Sequence, residues 1–181
     1  MNPFARGVLT PRLTKGDARP LWKPHLIVPA SRGGIHLELQ LTIADWVAEV
    51  HDTHHPVAGS LYYEEQKREA KRRAENFRAE RLPKFLTYFE QVLERNGSRV
   101  LVGNAVSYVD LSLFQMIEGL RYAFPRAMTK QERKHRRVIA LHDRVAARFR
   151  LAAYIASERR LPFNQQGIFR HYAELDNGGV K

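Results

Sequence analysis

One stretch of this chain, residues 106–124, restricts the fold more than any other because it is apolar on nearly every face of a helix. Its apolar side chains are Leu111, Leu113, Phe114, Met116, Ile117, Leu120, Tyr122 and Phe124. A helix that is hydrophobic all round needs other helices around it. Ser107 and Asp110, three positions apart, form a capping box that predicts where this helix begins. The stretch therefore predicts the central helix of a bundle.

A second helix is predicted before it, although the start of this segment also fits a strand. Leu37, Leu39, Leu41 and Ile43 alternate as in a strand, whereas Leu39, Ile43, Trp46, Val47 and Val50 have helical spacing. The helical interpretation explains more residues over a longer window. It predicts a helix that ends near His54 to Pro56.

Further helices are predicted on both sides of the central one. Residues 63–82 are rich in Glu, Lys, Arg and Ala and predict a solvated helix, and an apolar stripe follows over 82–93. Pro83 either kinks this helix or starts a new turn. Thr129 and Glu132 form a second capping box, which predicts a helix carrying Val138, Leu141 and Val145, and a short helix follows near 151–155.

These segments predict an all-α fold with three parts. Residues 1–36 hold five of the nine prolines and four of the eleven glycines and lack any period, so we expect an irregular basic leader. Residues 37–165 are expected to form the helical bundle, and residues 166–181 an irregular extension.

Composition excludes several classes of protein. The chain of 181 residues has no cysteine, which excludes disulfides, thiolate metal sites and a cysteine nucleophile. No run approaches the roughly 18 apolar residues of a membrane span. There is no signal-peptide pattern, so we expect a cytoplasmic protein without membrane contact.

The net charge of +11 first suggests a nucleic-acid partner. Residues 1–36 carry six Lys or Arg and one Asp, whereas 37–129 carry twelve Lys or Arg and thirteen acidic residues. The run 130–137 adds five basic residues and one acidic residue. It fits a phosphate-binding surface, but an exposed helix face is the favoured interpretation. Because the charge is confined to a leader and one helix start, a nucleic-acid partner is disfavoured.

The densest polar cluster is His51, Asp52, His54 and His55. His51 and His55 share a helical face, as metal ligands do, but no distant third ligand is identifiable, so capping or pocket lining is favoured and no metal is expected. Tyr62 and Tyr63 follow. They either line a pocket or pack under a loop.

The segment 102–111, Val-Gly-Asn-Ala-Val-Ser-Tyr-Val-Asp-Leu, resembles the start of the central helix in the C-terminal domain of cytosolic glutathione S-transferases. The helices predicted over 82–93 and 141–157 resemble the flanking helices of that family in the same order. Phe149 departs from the pattern, since the family usually has proline there. The resemblance implies a helical bundle of this type.

The family's glutathione-binding, thioredoxin-like domain precedes this bundle, and 36 residues are too few for it. The resemblance therefore implies a protein whose glutathione site is missing or replaced, with no catalytic residue in this chain. It implies glutathione as co-substrate of an intact site, no other cofactor, a small electrophilic substrate and a homodimer.

Site residues carried over from the family are few. Asp45 and Glu49 match the helix where some members place a carboxylate that meets the glutathione amine of the neighbouring subunit. His51, His55, Tyr62 and Tyr63 fall where the family lines its electrophile pocket. The alternative function is a non-catalytic helical module that binds a protein or RNA through its basic segments.

Overall fold

The computed structural model describes residues 32–97 and 99–177, which form a helical bundle. The longer helices are α1 (Arg32–His51), α2 (Lys67–Asn76), α3 (Leu82–Arg95), α4 (Tyr108–Ala123), α5 (Pro125–Glu132) and α6 (Arg136–Ala146). Shorter ones are α7 (Phe149–Ile155) and α8 (Ala173–Asp176), with a 3-10 turn at Tyr63–Glu65 and a π-helical turn at Phe77–Arg81. No strand occurs in these residues. The predicted all-α fold is confirmed.

Helix α4 lies at the centre of the bundle, as its apolar sequence predicted, and contacts α1, α5 and α6. The capping box forms at its start. The Asp110 carboxylate accepts hydrogen bonds from the backbone N–H and the hydroxyl of Ser107, both at 2.8 Å. It also accepts one from the N–H of Leu101 at 2.8 Å, so it ties the preceding loop to the helix.

Helix α1 resolves the ambiguity between strand and helix in favour of the helix. Leu39, Ile43, Trp46 and Val50 are buried, and the indole of Trp46 stacks on Phe85 of α3 at 5.0 Å between ring centroids. The helix begins at Arg32 and thus before the boundary predicted at residue 37. Residues 1–31 of the predicted leader lie outside the described part of the chain.

Pro83 is the second residue of α3, and the run of helical residues continues through it. A proline lacks the N–H that would close a normal helical turn. The π-helical turn Phe77–Arg81 precedes it, and the N–H of Leu82 donates to the carbonyl of Phe77. This wider turn adapts the hydrogen-bond pattern just before Pro83, so α2 and α3 follow one another without a loop.

The second predicted capping box is wrong. Thr129 lies inside α5, where its hydroxyl donates to the carbonyl of Pro125 at 2.9 Å, and Glu132 is the last residue of that helix. Helix α5 starts at Pro125, whose fixed φ suits the first helical position. Helix α6 begins separately at Arg136, and its Val138, Leu141 and Val145 are buried as predicted.

The described part of the C-terminal segment, up to residue 177, contains one short helix, α8. Residues 163–172 lie against α4 and the end of α1, and α8 follows with buried Leu175 and Asp176. The Asp176 carboxylate accepts from the N–H groups of Arg126 and Ala127 at 2.7 and 3.1 Å, and so caps α5. The sequence did not show this because the capping side chain lies some fifty positions away.

Candidate ligand pocket at the end of helix α1

A cavity of about 420 Å³ opens where the end of α1, the 3-10 turn and the C-terminal segment meet. Three of the four predicted pocket residues line it, namely His55, Tyr62 and Tyr63. The rest of its wall comes from Gly59, Ser60, Leu61, Glu64, Gln165, Gln166, Arg170 and Tyr172. Its size falls in the usual range of small-molecule sites.

His55 is fixed in this wall by groups on both sides of its ring. Its Nε2 accepts a hydrogen bond from the Arg170 guanidinium at 3.0 Å, and its Nδ1 lies 3.0 Å from the side-chain nitrogen of Gln66. Burial, and then the positive charge of Arg170, lower the pKa of His55 below its ordinary value. His55 is therefore a neutral hydrogen-bonding group at neutral pH.

Gln66 holds the loop that forms one side of the cavity. Its side chain is buried, and its Nε2 donates to the carbonyls of Ala58 and Leu61 at 3.1 and 3.0 Å. Its Oε1 accepts from the N–H of Val57 at 2.9 Å. One glutamine thus fixes three backbone groups of the loop.

His54 lies behind the cavity and is almost fully buried, with 1% of its surface exposed. Its Nε2–H donates to the carbonyl of Ile168 at 2.9 Å, which links the end of α1 to the C-terminal segment. Burial lowers the pKa of His54 to about 4, and the charge of Arg170 adds to this effect. Its Nδ1 is buried and has no hydrogen-bond partner among the described residues.

The two tyrosines occupy different positions. Tyr62 is 77% exposed at the mouth of the cavity. Tyr63 is buried, stacks on Tyr172 at 3.8 Å between ring centroids, and donates its hydroxyl to Glu174 at 3.0 Å. Burial and this hydrogen bond raise the pKa of Tyr63. Its ring can form a wall, but its hydroxyl is already engaged.

A family model for the C-terminal domain of glutathione S-transferases matches residues 51–158, which is more than half of the chain. This chain belongs to that family. The match runs from the last residue of α1 to just beyond α7, and it confirms the resemblance drawn from the residues around the capping box.

A curated relative agrees with the family. A glutathione S-transferase of Plasmodium yoelii yoelii is 33% identical over 52 residues, which cover 29% of this chain and 25% of the relative. The matched part thus spans about a quarter of that protein's length.

In the present chain, the two carboxylates predicted to meet a glutathione amine differ in their surroundings. Glu49 is bound within the chain by the Arg81 guanidinium, with contacts of 2.6, 2.8 and 3.0 Å. Asp45 is exposed one turn earlier on α1. Any ligand amine at Glu49 would compete with Arg81.

The histidine cluster is compact, with ring centroids of His51, His54 and His55 between 4.8 and 5.2 Å apart. His51 itself does not line the cavity, and its Nδ1 lies 3.5 Å from Asp52 Oδ1. Among residues 32–97 and 99–177, no group of three or more such side chains is placed to hold a metal ion. Nor is any helix in these residues long and apolar enough to cross a membrane.

Sequence reasoning missed Arg170 and Tyr172, which complete the cavity from the far end of the chain. His55 and Arg170 are 115 positions apart. No local pattern links them, since Arg170 lies in an irregular segment. The role of Gln66 in holding the loop was not predicted either, because Gln66 belongs to a segment whose composition is that of a solvated helix.

Proposed function

We propose that this chain supplies the electrophile-binding wall of a glutathione S-transferase-type site. The observation that carries the proposal is the single cavity that brings together His55, Tyr62 and Tyr63. Family membership supports it, because the family reaction joins the glutathione thiolate to an electrophile. The wall holds the electrophile while the thiolate forms the carbon–sulfur bond and the leaving group departs with its electron pair.

Binding of an unreactive nitroarene, 1,3-dinitrobenzene, tests this wall. We expect saturable binding that weakens about threefold to tenfold in Tyr62→Ala, because the exposed ring at the mouth stacks on the ligand. Tyr154→Ala is the matched control, since Tyr154 is 41% exposed on α7, away from the cavity. Equal affinity of the two variants, or no binding by the unmodified chain, would contradict the proposal.

We also propose that the chain does not bind glutathione by itself. The engagement of Glu49 by Arg81 supports this, because a carboxylate predicted to meet the glutathione amine is already paired. Isothermal titration with millimolar glutathione is expected to show no saturable heat. Saturable binding would overturn this half of the proposal and leave the electrophile wall in place.

We propose in addition that the chain forms a homodimer through α1. Leu37 and Leu41 lie one turn apart on this helix, and each is 57% exposed. Sedimentation equilibrium is expected to show a dimer that Leu41→Glu shifts towards monomer. Val57→Glu, at a side chain with 59% exposure outside α1, is the control. A monomer at all micromolar concentrations would contradict this.

A basic groove favours the second candidate function, an interaction module. This groove, of about 780 Å³, is lined by Arg78, Arg126, Lys130 and Arg133 together with Glu75 and the capping Asp176. If it binds an acidic protein or RNA, the double variant Lys130→Gln, Arg133→Gln should elute from heparin at lower salt than the unmodified chain. If only changes at Arg6, Arg12 and Lys15 lower the elution salt, the leader and not the groove carries the interaction.

A further inference from the structure

Arg170 places a positive charge in the candidate pocket, and no carboxylate of residues 32–97 or 99–177 pairs with it. Its Nε donates to the carbonyl of Gly167 at 2.8 Å, and its terminal nitrogens donate to His55 and, at 3.3 Å, to the carbonyl of Gln166. All three acceptors are neutral. Within the described residues, no acidic side chain lies within ion-pairing distance of this guanidinium.

The guanidinium is held in place and still has hydrogen-bonding capacity. It carries five N–H donors in a planar fork, and the three bonds above leave two of them for a ligand. The segment that carries it is anchored on both sides, by the hydrogen bond from His54 to Ile168 and by the stack of Tyr172 on Tyr63. Such a preorganised fork loses little freedom when a ligand binds.

The cavity wall offers an anionic ligand one cation, which suits a monoanion better than a dianion. Arg170 contributes one positive charge, and the exposed Glu64 on the same wall contributes one negative charge. His55 adds no charge, because its pKa is lowered. A dianion such as phosphate would meet one cation and a repelling carboxylate, whereas a monoanionic carboxylate matches the planar fork of Arg170.

The walls of the same cavity favour an aromatic ligand. Tyr62 presents an exposed ring at the mouth, and the half-buried ring of Tyr172, stacked on the buried Tyr63, lines another side. Flat aromatic faces bind aromatic rings by offset stacking.

We propose that this pocket binds aromatic carboxylates, with the carboxylate on the guanidinium of Arg170 and the ring against the tyrosine wall. The inference rests on the proposed electrophile wall and narrows its substrates to electrophiles that carry a carboxylate. Arg170 is then the residue that determines specificity.

The test compares 3,5-dinitrobenzoate with 3,5-dinitrobenzamide, which has the same ring but no charge, by isothermal titration into the full chain. We expect the benzoate to bind at least about tenfold more tightly, because its hydrogen bonds are charge-assisted. Arg170→Gln should weaken binding of the benzoate more than binding of the benzamide and so remove this preference, and Arg170→Lys should retain part of it. Arg159→Gln, which changes an exposed arginine outside the cavity, should have no effect.

The outcomes distinguish the role of Arg170 from the proposed electrophile-binding wall. Equal binding of the two ligands to the unmodified chain would overturn the role of Arg170 and leave the electrophile wall standing. Binding of neither would overturn both. If Arg170→Gln also abolishes binding of the benzamide, the salt dependence of the benzoate preference is measured on the unmodified chain instead. This preference is expected to weaken with added salt, and a preference independent of salt would overturn the inference.

Discussion

Gly119, in the middle of α4, connects the central helix to the candidate pocket. A Cβ at this position would fall within the ring of Phe169, closer than any van der Waals contact allows. Phe169 belongs to the segment that carries Arg170 and also packs edge-on against Phe163. The missing side chain therefore lets the C-terminal segment lie directly on the helix backbone.

Gly119→Ala is expected to lower the free energy of unfolding by about 1–3 kcal/mol, because Phe169 must move out of its site. Urea unfolding measures this. In the background of Phe169→Ala, the same change should instead raise stability by up to about 1 kcal/mol, because alanine has the higher helix propensity. Stabilisation in both backgrounds would show that the ring does not constrain this position.

His54 is expected to make stability depend on pH. Its pKa is about 4 in the folded chain, against the ordinary histidine value of 6.5 that applies after unfolding, so between these values only the unfolded chain takes up the proton. The contribution of His54 to the free energy of unfolding is complete above pH 6.5. It is lost as the pH falls towards 4, with a slope of up to about 1.4 kcal/mol per pH unit. Unfolding curves of His54→Gln should lack this component between pH 6.5 and 4. Parallel curves for the two proteins would contradict the burial argument.

The start of helix α4 depends on the carboxylate of Asp110. Asp110 is fully buried and accepts from Leu101 and twice from Ser107. Asp110→Ala leaves the buried N–H of Leu101 and the partly buried N–H of Ser107 without an acceptor, and it is expected to cost about 2–4 kcal/mol in urea unfolding. The exposed Asp45→Ala is the control and should change stability by about 0.5 kcal/mol or less. A similar cost for both changes would remove the special role of the capping box.

The start of α7 is expected to accept the proline that the family usually has. Arg148 has φ −65° and ψ 128°, the extended conformation required before proline, and Phe149 is 88% exposed. Phe149→Pro is therefore expected to raise the free energy of unfolding by about 0.4–1 kcal/mol, because the unfolded chain loses freedom. Ala152→Pro is the opposite control, since its N–H donates to Arg148 at 2.8 Å, and should cost about 3 kcal/mol. Destabilisation by Phe149→Pro would contradict this account.

The elements that the sequence predicted are those with local signals. The capping box at Ser107 and the buried stripe of α6 are formed by residues three or four positions apart, so the sequence alone predicts them. The split between α5 and α6 was missed because Thr129 and Glu132 imitate a cap, although Pro125 already starts the helix. The candidate pocket was half predicted: His55, Tyr62 and Tyr63 are close in sequence, whereas Arg170 reaches them only through folding.

The pocket lies where two parts of the chain that are distant in sequence meet. The hydrogen bond between His54 and Ile168 joins residues 114 positions apart. Residues of the C-terminal segment thus line the candidate pocket together with the end of α1. The division of the chain into a leader of residues 1–36, a domain of 37–165 and an extension of 166–181 stays a prediction.

The place where the ligand binds can be located directly on the molecule. Nuclear magnetic resonance spectra of the chain with isotope-labelled histidine are recorded while 1,3-dinitrobenzene is added. We expect the ring signals of His55, on the pocket wall, to shift saturably, while those of His135, buried against Thr87 and Gln131, stay unchanged. A saturable shift at His135 with none at His55, or no saturable shift at all, would contradict the assignment of this cavity as the ligand site.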